Sequence, residues 1–369
     1  MIKKNKYGIA CWKIDSEEER RLAALADATL EGRNAYVAYY RDNDAEYYAA
    51  GLTFIDRVLE RFGVVAEGDE RRELVEDMIY SLHRFGFAFE EYFLLDLRGK
   101  SVEEREEYIS DKVRYEYYAR LNAPEGRMLL NNKAATLERL RPYVKRDFLA
   151  VDSGGGYQRK FVDKFLVEHG DVMLKPLSEC CGRGVTLIRK GCVDAGALLS
   201  VVPEGGALIE ERIPQSAETA AFHPESLNTV RVPCVMCRDG VHVITPFFRM
   251  GRGASVVDNA GAGGIFANVD AATGVLSTDG FDEDGGRYPL HPDTGIAIKG
   301  SCLPDWEGAL DLVERLMRLV PECRYVGWDL AYTDDGWDVV EGNAQGQFVM
   351  QFADKVGLRK RFEDLIEFA

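Results

Sequence analysis

The chain has 369 residues, 46% of them hydrophobic and 29% charged, so it is long enough for two or three domains with a sizeable core and needs no disulfides to fold. A formal charge of −16 excludes the broadly basic surface that nucleic-acid or anionic-membrane binding requires; no nucleic-acid partner is expected, and a polyanionic ligand has to meet a local positive site. The opening stretch MIKKNKYGIACWKIDSEEER has no apolar core of a signal peptide, no run of about 18 apolar residues occurs, and eight cysteines fit a reducing compartment, so a cytoplasmic protein without membrane insertion is expected.

In chain order, all twelve prolines fall at or after Pro124, whereas twelve of the seventeen tyrosines precede it. This marks a boundary, and residues 1–124 read as a helical N-terminal domain. SEEERRLAALADATLEG, a run from Asp42 to Phe62, ERRELVEDMIYSLHRFGFAFEEYFLLDL and VEEREEYISDKVRYEYYARL repeat apolar residues at helical spacing, predicting four or five packed helices. His83 is a lone histidine on an amphipathic pattern and gathers no chemistry around it.

Beyond Pro124 the pattern is mixed, predicting an α+β fold of two lobes over 125–205 and 206–369. Asn131 or Asn132 caps a helix starting at Lys133. Strand-like runs follow at DVMLKPL, GVTLIRK, GALIEERI, NTVRVPCVMC and VHVITPFFRM, then a glycine-rich segment, the helix DWEGALDLVERLMRLV and a final helix LRKRFEDLIEFA. Cys234-Val-Met-Cys237 sits within apolar alternation, without a second pair or a histidine at zinc-ligand spacing, and reads as strand.

Several segments carry candidate chemistry. Lys175 stands at a strand end before a loop with Gly182, Arg183 and Gly184; glycines let backbone N–H groups approach a phosphate, and the plainer reading is an ordinary hairpin. Glu210-Glu211-Arg212-Ile213 ends a strand where backbone groups face a flat heterocycle, or where acids are simply solvated. SLNTVRV places Asn228 just before Arg231, and FFRMGRGASVVDNAGAGG adds Arg249, Arg252, Asp258 and Asn259 among five glycines, predicting a mobile or ligand-hugging loop. Finally VGWDLAYTDDGWDVVEGNAQG reads as a β-hairpin turning at Asp334-Asp335-Gly336. Glu341 and Asn343, two apart, share one strand face, and Asp329 faces them across the ladder, either as three converging oxygen ligands or as solvated acids.

Taken together, these pieces resemble the ATP-grasp superfamily over residues 120–369. FHPESLNTVRV, GRGASVVDNAGAGG and the hairpin are similar to the sugar-transfer-associated ATP-grasp group, related to alpha-L-glutamate ligases. The resemblance implies a two-lobed fold gripping ATP, with an N-terminal helical domain. It implies that Lys133 and Lys175 hold the phosphates, that the Gly182–Gly184 loop closes over them, and that Glu210, Glu211 and Ile213 contact adenine with Glu218 toward the ribose. Asp329, Glu341 and Asn343 match Mg²⁺ ligands. Arg231 is expected to stabilise the transferring phosphoryl with Asp258 as a proton acceptor; Asn228, Arg249, Arg252 and Asn259 are expected to hold the acceptor. Cys180, Cys181 and the bulky Arg183 depart from the small residues usual in the phosphate loop. The reaction implied is activation of a carboxylate as an acylphosphate and its capture by an amine or thiol, in glycan or small-metabolite biosynthesis. The same cleft suits a kinase acting on a small-molecule hydroxyl, or a non-catalytic nucleotide-binding partner.

Overall fold

A computed structural model of the protein describes residues 16–43, 45–153, 158–178 and 184–367; Cys180, Cys181, Gly182 and Arg183 lie outside the described residues. The chain divides into two compact units, Met1–Tyr117 with Gln347–Arg361, and Tyr118–Gly346 with Phe362–Ala369. No helix among the described residues is long and apolar enough to cross a membrane.

The first unit is helical: α1 (Glu17–Ala28), α2 (Leu30–Asn43), α3 (Ala45–Arg61), α4 (Gly68–Phe85), α5 (Phe89–Leu94), α6 (Val102–Glu106) and the start of α7 (Asp111–Leu121). The helices are more numerous and shorter than the periodicity predicts, because caps interrupt continuous apolar patterns. Gly86, at φ 80°, ends α4 in the left-handed conformation that only glycine adopts cheaply, and its N–H closes on Leu82 O at 3.0 Å. Ser101 starts α6 with a capping box, its hydroxyl accepting from Glu104 N while the Glu104 carboxylate accepts from Ser101 N. Buried polar groups are cross-linked: Asp77 accepts from Arg33 at 2.7 Å, Arg105 at 2.7 Å and the Tyr92 hydroxyl at 2.5 Å. Glu91 accepts from Ala88 N at 2.8 Å and Asp111 N at 3.2 Å. The returning segment contributes α14 (Met350–Asp354), and Gln351, 1% exposed, accepts from Ile109 N and donates to Ile109 O, both at 3.0 Å.

The second unit holds two antiparallel sheets. After α8 (Pro124–Asn131) and α9 (Lys133–Arg139), β1 (Phe148–Val151), β2 (Val172–Pro176), β3 (Thr186–Ile188) and β4 (Ala207–Glu211) make a four-stranded sheet in the order β1-β4-β2-β3. Helices α10 (Arg159–Glu168) and α11 (Ala195–Ser200) bury Val162, Phe165, Ala195 and Leu198 against it. A single turn, α12 (Ala217–Ala220), leads to the larger sheet. There β5 (Thr229–Cys237), β6 (Gly240–Val243), β7 (Phe247–Met250), β8 (Ile265–Asn268), β9 (Gly280–Phe281), β10 (Arg287–Tyr288), β11 (Tyr325–Thr333) and β12 (Gly336–Asn343) run in the order β10-β9-β8-β7-β5-β11-β12, with β6 also on β5. Helix α13 (Trp306–Leu319) lays Trp306, Ala309, Val313, Leu316 and Met317 into the core cluster beneath this sheet, the spacing of one helical face. Helix α15 (Arg359–Glu367) is the last element among the described residues.

The mixed helical and sheet content bears out the α+β expectation. Cys234 and Cys237 lie on β5 as free thiols, donating to Val326 O at 3.3 Å and Leu365 O at 3.4 Å.

Candidate functional site

The hairpin forms as the turn chemistry requires. Gly336 takes φ 89° after Asp334-Asp335, the left-handed bulge residue that follows a type I turn. Pairing runs Thr333↔Gly336 through Leu330↔Val339, then slips, so that Asp329 stands opposite Glu341 and Val340 is the extra residue of a β-bulge. Across the other edge of β11, Asp329 stands opposite Arg231 on β5. Directly opposed residues of antiparallel strands share a face, so Arg231, Asp329 and Glu341 form one row across three strands.

Charge organises that row. The Arg231 guanidinium forks onto Asp329, with Nε to Oδ1 and Nη2 to Oδ2 at 2.6 Å, and Arg249 adds Nη2 to Oδ2 at 2.8 Å. Burial pushes the Asp329 carboxyl up, but Arg231 and then Arg249 outweigh it and hold the group below the usual carboxylate range. Asn343 donates to Glu341 Oε1 at 3.2 Å, and Arg231 lies 3.9 Å from the same oxygen. Beside the row, Asp258 accepts from Thr229 N at 3.0 Å and from the Thr229 hydroxyl; burial raises its pKa despite Arg249 at 3.5 Å.

The small sheet faces this row across a cleft. Glu210, 1% exposed, accepts from Lys175 Nζ and from Arg146 Nε at 2.9 Å. Met173 pairs with Glu210 across the ladder, so Lys175, two residues on, is the diagonal neighbour on the same face. Burial alone would raise the Glu210 pKa; Arg146 and Lys175 bring it below the usual range. Lys133 at the start of α9, the Ile213 side chain, and Glu341 and Asp329 from the hairpin line one cleft with Lys175 and Glu210. Asn132, one of the two expected caps, accepts from Ala135 N at 3.0 Å.

The glycine-rich segment lines the cleft through Val256, Val257, Asp258 and Asn259, and it is fastened rather than loose. His223 Nε2 bonds Gly253 O at 3.0 Å, His291 Nε2 bonds Gly251 O at 2.8 Å, and Asp293 accepts from Gly253 N at 2.6 Å. Asn259 caps a 3₁₀ turn, accepting from Gly261 N at 2.8 Å.

Among the described residues, Gly184, Glu211, Glu218, Asn228, Arg231, Arg252 and Asn343 are expected site residues that do not line this cleft. Asn228 is buried with its amide committed to Thr219 O, His223 O and Gln215, and with its oxygen accepting from Gly251 N. Arg252 bonds the Tyr288 hydroxyl at 2.6 Å and Asp282 at 3.2 Å. Glu218 is exposed in the single turn of α12, with its own backbone N–H and then the Ser216 hydroxyl holding its carboxyl below the usual range. The Glu211 carboxylate accepts from Asp147 N at 2.8 Å and bonds His169 Nδ1 at 2.7 Å, and its own N–H is used by Asp147 O. Gly184 takes φ 69°; its partners Gly182 and Arg183 lie outside the described residues.

The donor set of the hairpin suits a hard divalent cation such as Mg²⁺: the Glu341 carboxylate, half-buried on the cleft wall, and Asp329, with Asn343 beside them, whose amide N–H faces Glu341 here and whose oxygen reaches the same place when the amide turns over. Asp329 already accepts three guanidinium N–H bonds, so Glu341 and Asn343 hold most of the ligating capacity. Elsewhere, Cys237, Asp239 and His242 cluster at the β5–β6 turn, and Asp147, His169 and Glu211 cluster beside β4; each group has ligand atoms within 4.8 Å of one another. The first group lies at the turn that the sequence reading left without a histidine partner. In it, His242 bonds Asp239 at 2.8 Å and the Cys237 thiol is turned to Leu365 O.

Arg146 was not legible as a site residue. It sits in VKRDF, a basic run that looks solvated, yet it is 5% exposed and its guanidinium reaches Glu210, Asp338 at 3.1 Å, Val339 O at 2.7 Å and Val340 O at 3.1 Å. A signal existed in its register: two residues before Phe148, which pairs with Glu210, it falls on the same strand face.

Among solved structures the chain is similar to the ATP-grasp ligase PsnB complexed with minimal precursor, Mg and ADP, at 17% identity and TM-score 0.41 over 70% of this chain and 66% of that one. It is also similar to D-alanyl-alanine synthetase A from Vibrio cholerae (11%, TM-score 0.43, 66% and 63% covered) and to the D-alanine-D-alanine ligase from Coxiella burnetii (10%, TM-score 0.40, 68% and 60%). The comparison with curated proteins gives no match. The profile described as sugar-transfer associated ATP-grasp matches residues 112–366, a span holding both sheets, the cleft and the hairpin, and the chain belongs to that family.

Proposed function

We propose that the protein is an ATP- and Mg²⁺-dependent, ADP-forming ligase that activates a small-molecule carboxylate as an acylphosphate and joins it to an amine or thiol. The observation that carries this reading is the convergence, in one cleft, of the Lys175–Glu210 pair from the small sheet with Asp329 and Glu341 from the hairpin. In a chain of net charge −16, Lys133, Lys175 and Arg212 give the cleft wall a local positive side for a triphosphate. Ile213 supplies an apolar surface for a purine beside Glu210.

Mg²⁺ held by Glu341, Asn343 and Asp329 would neutralise charge on the phosphates. Arg249 and Arg231 fix the Asp329 carboxylate in place, and positioning of both substrates does most of the remaining work. Asn259, Arg249 and Asp258 face the acceptor side in this reading. Membership of the sugar-transfer-associated family supports a role in glycan or small-metabolite biosynthesis. A second reading, phosphorylation of a hydroxyl, draws support from Asp258, a buried carboxylate on the cleft wall made more basic by its burial.

The test is to incubate the protein with Mg-ATP and a pool of small carboxylates, amines and polyols and to follow ADP release and product mass. Hydroxamate formation on adding hydroxylamine marks an acylphosphate; a stable phosphoester marks the kinase. No ADP release and no ATP binding would end both readings.

A further inference from the structure

Arg146 touches both sides of the cleft, though the cleft wall itself is made by its partners. On the small-sheet side its Nε holds Glu210, whose other oxygen takes Lys175. On the hairpin side, Nη1 and Nη2 donate to Val339 O and Val340 O, the carbonyls at the point where the β11–β12 register slips. A bulge leaves ladder groups without strand partners, and a guanidinium with several donors in a fixed fork can fill them. The extra residue Val340 is what puts Glu341, rather than its neighbour, opposite Asp329. The Asp338 carboxylate, also buried, completes the cage.

We propose that Arg146 is a positioning residue that couples the nucleotide-gripping pair Lys175–Glu210 to the placement of Glu341, so that nucleotide and Mg²⁺ affinities depend on each other through it. This rests on the ATP and Mg²⁺ reading of the cleft. Movement of Glu210 on one side is transmitted by a single rigid group to the bulge on the other, and the linkage is reciprocal: metal at the hairpin favours the Glu210 geometry that grips nucleotide, and nucleotide favours the metal site. The contact network is contiguous from Lys175 to Glu341, and the coupling itself is what the measurement below decides.

The experiment measures ADP affinity by titration calorimetry with and without Mg²⁺ in wild type, Arg146→Lys and Asp338→Asn. The ratio of the two affinities is the coupling factor, and the Mg²⁺–ADP complex formed in solution cancels between variants. Arg146→Lys keeps the charge toward Glu210 but loses the fork onto Val339 and Val340, so the coupling factor falls about 10- to 100-fold, the usual effect of removing a group that orients a metal ligand, beyond whatever change ADP binding without Mg²⁺ shows. Asp338→Asn weakens the hairpin's hold on Arg146 and Lys145 N without touching Glu210 and lowers the coupling in the same direction, serving as the deciding variant should Arg146→Lys not fold. In the ligand-free protein, amide exchange at Val340 and Glu341 quickens in both. Coupling factors equal to wild type in the folded variants overturn the proposal while leaving the ligase reading intact; absence of ADP and ATP binding in wild type overturns the reading and the proposal with it.

Discussion

Arg231 shows how a residue's expected role changes once its partners are seen. Its fork is committed to Asp329, 1% exposed, so it holds a buried carboxylate of the fold in place. Arg231→Lys cannot reproduce two parallel N–H bonds, and breaking a buried carboxylate's pairing costs about 3 kcal/mol or more when a partner is lost outright. The variant should lose turnover and also melt several degrees lower; unchanged melting would mean that Arg249 alone satisfies Asp329. Glu341 behaves oppositely, being half-buried with Arg231 only at 3.9 Å. Glu341→Gln should leave the melt within about 0.5 kcal/mol of wild type, yet raise the Mg²⁺ needed for half-maximal ADP formation at least about tenfold; wild-type Mg²⁺ dependence would remove Glu341 from the metal site. Residues of this hairpin were legible in the sequence because strand alternation and turn chemistry are local. The saturation of Asn228 and the burial of Arg146 were not, since both are decided by segments far away in the chain.

At the level of elements, β12 carries two ligand candidates on one face and Gly342 on the other. A Cβ at Gly342 would lie 2.6 Å from Trp328 Cζ3 and 3.1 Å from Leu130 Cδ2, and Trp328 is fully buried. Gly342→Ala therefore overpacks the core by about 1–3 kcal/mol, lowering the melting temperature by roughly 2–10 °C in a unit of this size. The displaced strand should shift Mg²⁺ dependence with it, and a melt equal to wild type would show that the indole moves freely. The glycine-rich segment illustrates the limit of composition as a guide. Five glycines suggested a mobile or ligand-hugging loop; the segment lines the cleft, and His223, His291 and Asp293 fasten its start. Gly251 has no room for a side chain, a Cβ there lying 2.2 Å from Ser226 Oγ, so the glycine serves close packing. In the helical unit the elements were legible in kind but not in number, because capping at Ser101 and Gly86 cuts patterns whose apolar period runs on.

For the whole molecule, stability should depend on pH through the helical unit. Burial, and then the nearby Asp111 carboxylate, push Glu91 well above the ordinary carboxylate range. The folded state then binds a proton that the unfolded chain releases above about pH 4.5, so this site's stabilisation is full in acid and is lost as pH rises toward the folded-state value. Glu91→Gln keeps an acceptor for Ala88 N and Asp111 N and removes the titration, so melting temperature should fall less between pH 5 and 8.5 than in wild type. Parallel curves for the two proteins would assign the slope to another group.

The helical unit closes only when Gln351 clasps Ile109 and the Lys355 carbonyl takes the Tyr108 hydroxyl at 2.7 Å. Gln351 emerges from the ribosome 242 residues after Ile109. Residues 1–117 must wait on the order of ten seconds or more for the segment that completes them, with Tyr108 and Ile109, buried in the finished protein, still lacking their cover. A nascent chain stalled before Gln347 should therefore offer this unit to chaperones and proteases in an incompletely folded form.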